Sequence, residues 1–190
     1  RDRHRRTASS PGARQGLVQL AELGELRQPP APGGEHKILY MINAGSRAIP
    51  EIIRSLARLP NVRLTVTVGR DERLRRIVER VNAEMRRNFE IVGWSERLPR
   101  LMLESHLLIS KAGGATVQET IAAKCPMIIS QIVPGQEEGN ARLIVETRSG
   151  IVAPTAEAIV GALKQSFADD GQIWREWSAN ISPLSRPRAS

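Results

Sequence analysis

The chain has 190 residues, room for one domain with a hydrophobic core and some connecting segment, but not for a complete two-domain enzyme. Its 28 Lys and Arg against 20 Asp and Glu give a formal charge of +8, which suits an anionic partner such as a lipid surface or a nucleic acid. Aromatic residues make up only 3% and do not interleave with the basic ones, so the stacking platform of a single-strand binder is missing and no nucleic-acid partner is expected.

The single Cys125 permits no intrachain disulfide, and no Cys/His spacing offers a zinc site. Both point to a reducing, cytoplasmic compartment without a bound metal. No apolar run approaches the ~18 residues of a membrane span, and Arg1 to Arg6 lack the apolar stretch of a signal peptide.

In chain order, residues 1–36 read as a linker and the remnant of a preceding domain. Gly16 to Leu26 suits at most a short helix, and Gln28-Pro-Pro-Ala-Pro-Gly-Gly-Glu35 is a Pro/Gly cluster of the kind that joins domains. The folded domain is placed at 37–168. Lys37 to Ile42 is a continuous apolar strand, and Pro50 to Leu59 a helix with proline in its first turn. Val62 to Val68 is a β-branched strand. Asp71 then opens a long helix with Leu74, Ile77, Val78, Val81 and Met85 along one stripe. Its arginines at 73, 75, 76, 80, 86 and 87 lie mainly off that stripe, among Glu72, Glu79 and Glu84. They read first as a solvated, ion-paired face and second as a surface for an anionic membrane.

Strands at Phe89 to Val92, Leu107 to Ser110, Met127 to Ile132 and Ile151 to Val152 then alternate with helices at Leu98 to Leu103, Val117 to Lys124, Glu138 to Thr147 and Ala156 to Phe167. Residues 169–190 are set apart as a tail or helix remnant. The alternation predicts an α/β domain, an open parallel sheet with helices on both faces and right-handed crossovers.

Three turns at one sheet edge carry the candidate chemistry. Gly113 and Gly114 follow a buried strand and precede a helix, so they suit either a tight turn or a phosphate approached by backbone amides. Thr116 and Glu119 fit a capping box; equally, the threonine faces phosphate while the carboxylate accepts ribose hydroxyls. Gln136, Glu137, Glu138 and Asn140 cluster behind Pro134-Gly135, a donor and acceptor set suited to a sugar ring. Asn43-Ala-Gly-Ser46 is a third loop, as readily an ordinary connection as a phosphate contact.

Ile109-Ser-Lys-Ala-Gly-Gly-Ala-Thr-Val-Gln-Glu119 together with Pro134-Gly-Gln-Glu-Glu-Gly-Asn140 resembles the C-terminal half of glycosyltransferase family 28, over about Lys37 to Phe167. The diacylglycerol-glycosylating branch is the most similar in its second loop. The resemblance implies a Rossmann-like donor-binding half of a GT-B enzyme that transfers a hexose (glucose, galactose or N-acetylglucosamine) from a UDP-sugar to a lipid acceptor, with no cofactor beyond the donor. It places Gly45, Ser46, Gly113, Gly114 and Thr116 at the diphosphate and Glu119 at the ribose. Gln136 and Glu137 go to the sugar hydroxyls, Asn140 to support of the loop, and Gly93 and Trp94 to uracil. The general base and the lipid acceptor site are expected in an N-terminal domain before Arg1, so this chain by itself is expected to bind but scarcely to catalyse, with peripheral contact to an anionic membrane.

Two residues depart from the family pattern: Ala112 stands where relatives often carry proline, and His106 where an acidic residue is frequent. His106 reads as a structural strand-edge residue, Cys125 as a small apolar one, and Leu184 to Ala189 as the start of a terminal segment that relatives continue. The competing readings are the donor-binding subunit of a two-chain transferase, a UDP-sugar epimerase, and a basic surface module.

Overall fold

In the computed structural model, residues 33–42, 47–85 and 88–185 are described. Six parallel strands lie in the order β3-β2-β1-β4-β5-β6. They are β1 (His36–Met41), β2 (Val62–Gly69), β3 (Glu90–Gly93), β4 (Leu107–Lys111), β5 (Met127–Gln131) and β6 (Gly150–Val152). The crossovers carry α1 (Ile49–Ala57), α2 (Glu72–Glu84), α3 (Leu98–Glu104), α4 (Gly114–Ala122) and α5 (Glu138–Glu146). α6 (Ala156–Phe167) and α7 (Gln172–Ile181) follow β6.

Both faces of the sheet are covered, which is why its central strands are nearly continuous apolar runs. Ile38, Tyr40, Leu107, Ile109 and Ile128 turn toward α1, α2 and α6 in one core layer. Leu39, Met41 and Leu108 face α3, while Met127 and Ile129 face α4 and α5 on the same opposite side. The chain order reverses direction between β1 and β4, which opens a crevice beyond their carboxyl ends, the usual ligand position in a doubly wound sheet.

Local chemistry sets the element ends. Asp71 caps α2 by accepting the Leu74 N–H (2.9 Å), and Thr155 caps α6 by accepting the Ala158 N–H (3.1 Å). Pro50 and Pro99 occupy first-turn positions of α1 and α3, where a missing N–H costs nothing.

The packed core runs beyond Phe167. In α7, Trp174, Trp177 and Ile181 are buried at i, i+3 and i+7, and the Trp174 indole N–H donates to the His106 carbonyl (2.6 Å). His106 is itself buried, and its Nδ1 accepts the Lys37 N–H (2.8 Å), which fixes the tautomer with the proton on Nε2. Its role is structural, at the sheet edge remote from the carboxyl ends. Cys125 is buried between α4 and β5.

Candidate functional site

The site is built from two loops that the switch point brings side by side. β4 ends at Lys111, and α4 begins three residues later at Gly114, with Gly113 as its N-cap in an extended conformation (φ −64°, ψ 138°). The helix therefore starts earlier than the sequence pattern suggests. Thr116 consequently lies inside the first turn instead of capping it, its side chain buried, and no side chain caps α4. The capping-box reading of Thr116 and Glu119 is corrected by this geometry. The first intrahelical bond of the turn is Val117 N–H to Gly113 O (2.9 Å), so the N–H groups of Gly114, Ala115 and Thr116 precede the helical ladder at the positive end of its dipole.

The second loop is tied to the first. Asn140, in the first turn of α5, donates from Nδ2 to the Ala112 carbonyl (3.0 Å). Lys111 Nζ lies 2.6 Å from Glu137 Oε1, and Glu137 Oε2 accepts the Val133 N–H (3.0 Å). Gly135 adopts φ 78°, a left-handed turn conformation that disfavours side chains, and its N–H donates to the Glu138 carboxylate. That bond, first among several backbone contacts, holds the Glu138 carboxyl below its usual value.

Glu137, expected at sugar hydroxyls, is turned inward: it is 5% exposed and both its oxygens are engaged within the protein. A carboxylate used this way braces the loop. Gln136, by contrast, is exposed, with its backbone N–H donating to the Val133 carbonyl (3.3 Å). Glu119 is partly buried on α4, no partner for its carboxylate is found among the described residues, and burial pushes its carboxyl above the usual range.

Gly93 and Trp94 are not brought against this cluster. Gly93 ends β3 and Trp94 follows it, three strand positions from β4, about 14 Å across the sheet. There Trp94 is 61% exposed, with the Arg70 guanidinium 4.5 Å from its ring centroid, and the Arg75 guanidinium packs over Gly93, 2.7 Å from where a Cβ would sit. Gly45 and Ser46 lie outside the described residues. Sequence reasoning did not single out Lys111, which the structure pairs with Glu137 in the second loop. The signal was present, a lysine at the last strand position directly before the glycine turn, but its partner 26 residues away becomes visible only in three dimensions.

Processive diacylglycerol beta-glucosyltransferases of Bacillus licheniformis and Bacillus subtilis are 28% and 27% identical to the chain over 158 and 159 residues. These matches cover 81% and 82% of this chain and 41% of each relative, so the chain spans about two fifths of their length. Among solved structures, the S. aureus MnaA-UDP co-structure is similar with TM-score 0.65 and 12% identity, covering 90% of this chain and 44% of that one. The glycotransferase of kitacinnamycin gives TM-score 0.63 and 18% identity over 86% of this chain and 41% of that one. UDP-GlcNAc 2-epimerase from Neisseria meningitidis bound to UDP-GlcNAc gives 0.61 and 14%, over 79% of this chain and 43% of that one. At such identities these likenesses establish a shared fold, the Rossmann-like half of a GT-B architecture. The model of the glycosyltransferase family 28 C-terminal domain matches residues 43–170, and the chain belongs to that family.

Proposed function

We propose that this chain is the donor-binding half of a glycosyltransferase that moves a hexose (glucose, galactose or N-acetylglucosamine) from a UDP-sugar to a lipid acceptor such as diacylglycerol. The observation that carries the reading is the joining of the glycine turn to the polar second loop at the switch point, in a member of this family.

In this reading the first-turn amides of Gly114, Ala115 and Thr116 take the diphosphate. As the glycosidic bond to the donor breaks, negative charge grows on the leaving diphosphate, and amides already aimed at it stabilise that charge without reorganising. Glu119 accepts the ribose hydroxyls and Gln136 the sugar hydroxyls, while Glu137 and Asn140 hold the second loop in place. The backbone at Gly93 and Trp94 faces uracil at the far side of the crevice. The general base and the lipid acceptor site are assigned to the part of the relatives that this chain does not span. Membership of glycosyltransferase family 28 favours transfer over epimerisation.

Isothermal titration of the folded chain with UDP, UDP-glucose and UDP-galactose tests the reading. Binding of UDP and of at least one UDP-hexose is expected, with little or no transfer to diacylglycerol. Folded protein that gives no heat with any of the three would sink it.

A lipid acceptor also calls for work at a membrane surface. Among the described residues no helix is long and apolar enough to cross a membrane. On α2, Arg75 pairs with Glu79 and Glu84 with Arg54, whereas among the described residues no ion pair is found for Arg73, Arg76 and Arg80, which surround the exposed Ile77. We read this stripe as a contact for anionic lipid. Replacing the three arginines by glutamine is expected to weaken binding to phosphatidylglycerol vesicles on the order of a hundredfold, at roughly fivefold per residue. Equal retention of wild type and variant in vesicle sedimentation would refute that contact.

A further inference from the structure

We propose that Lys111 is a further donor-binding residue: its ammonium, held by Glu137 beside the glycine turn, meets the diphosphate of the nucleotide sugar. Glu137 is then a positioning residue that aims the ammonium. The inference rests on the donor-site reading above and adds a residue to it.

The geometry begins with the carboxylate. Glu137 has a 6% exposed side chain whose Oε2 accepts the Val133 N–H and whose Oε1 lies 2.6 Å from Lys111 Nζ. Such a buried carboxylate stays tolerable only because it is paired and hydrogen-bonded. Lys111 differs from its partner in being 29% exposed. An ammonium carries three donors, and Glu137 is the one acceptor found for it among the described residues.

The position of those donors follows from Gly113. A Cβ built there would lie 3.6 Å from Lys111 Cε and 3.8 Å from Nζ. The ammonium therefore stands next to the N-cap of α4, beside the uncapped amides of Gly114, Ala115 and Thr116. A cation and a helix N-terminus that converge on one point favour the same ligand, an anion with several oxygens. Lysine suits this role as a compact point charge on a flexible stem, and the ion pair removes much of that flexibility before the ligand arrives.

The same arrangement engages both oxygens of Glu137 within the protein. Its Oε1 lies 3.7 Å from the built Cβ of Gly113, so a diphosphate at this turn would meet a like charge were Lys111 not between them.

Titration of the chain with UDP and with uridine separates the possibilities, using a Lys111→Met/Glu137→Gln variant that leaves no buried carboxylate unpaired. UDP affinity is expected to fall roughly tenfold to a hundredfold, the scale of one charge-assisted contact. Uridine affinity is expected to stay within about twofold, because uridine carries no phosphate for the ammonium to meet. Lys111→Arg, which keeps the cation, is expected to retain most UDP affinity. UDP and uridine weakening by the same factor, or UDP unchanged in the double variant, overturns the assignment of Lys111 while leaving the donor-site reading in place. A wild-type chain that binds no UDP overturns both.

Discussion

Gly150→Ala is expected to lower the melting temperature by on the order of 10 °C, at a cost of about 3 kcal/mol or more. A Cβ at Gly150 would sit 1.9 Å from the Met127 carbonyl oxygen and 2.9 Å from Ile144 Cγ2. Backbone cannot yield as a side-chain tip can, so the strand must move. β6 pairs with β5 through Gly150, Ile151 and Val152 only, and losing its first residue removes much of that register. The displaced ladder also disturbs the packing of Ile144 in the layer beneath α4 and α5. Gly161→Ala is the matched control. Gly161 is inside α6 with nothing within 4 Å of a built Cβ, and there alanine is expected to stabilise by roughly 0.5 to 1 kcal/mol. Thermal unfolding followed by circular dichroism checks both. A Gly150→Ala protein that melts with the wild type would mean that β6 is not held as described.

Glu119→Gln is expected to move stability and affinity in opposite directions. The folded carboxyl lies above its usual value because burial disfavours the charged form, and no partner for it is found among the described residues. Its ionised form is therefore costlier in the folded chain than in the unfolded one. As pH rises from the unfolded value of 4.5 through the raised folded value, the folded state loses stability relative to a neutral side chain. Below 4.5 the wild type and the Gln variant should melt together; at neutral pH the variant should melt higher. Loss of a helix cap would produce the reverse, a drop of about 1 kcal/mol, but Glu119 caps nothing here. Binding should fall, since an amide presents one acceptor oxygen to the two ribose hydroxyls where the carboxylate presents two. The expected loss in UDP affinity is roughly tenfold to a hundredfold. Calorimetry against UDP together with melting across pH tests the pair of claims. A variant with unchanged affinity would remove Glu119 from the donor site, whatever its stability.

Much of the fold was legible because its signals are local. The continuous apolar runs at β1, β4 and β5 and the stripe of Leu74, Val78 and Val81 in α2 announce buried strands and an amphipathic helix by spacing alone. Asp71 marks its helix start correctly for the same reason: an N-cap acts within four residues. Thr116-x-x-Glu119 shows the limit of that logic. Its pattern is that of a capping box, yet the helix begins at Gly114 with Gly113 as its N-cap, which puts Thr116 inside the first turn.

At the candidate site, sequence alone singled out two loops, because Gly113-Gly114 and the Gln136 to Asn140 cluster are contiguous stretches with their own turn and donor chemistry. Only the tertiary structure decided what each side chain does there. Glu137 turns inward to Lys111 and Asn140 reaches back to Ala112, pairings set by the parallel contact of β4 with β5 across 26 and 28 residues. Trp94 keeps its ring in solvent at the far edge because β3 is the outermost strand. α7 likewise closes the core through a bond from Trp174 to His106 that no local pattern encodes. Residue type and spacing specify an element and its faces; the partner of a buried charge is fixed by sheet order, which is a property of the whole chain.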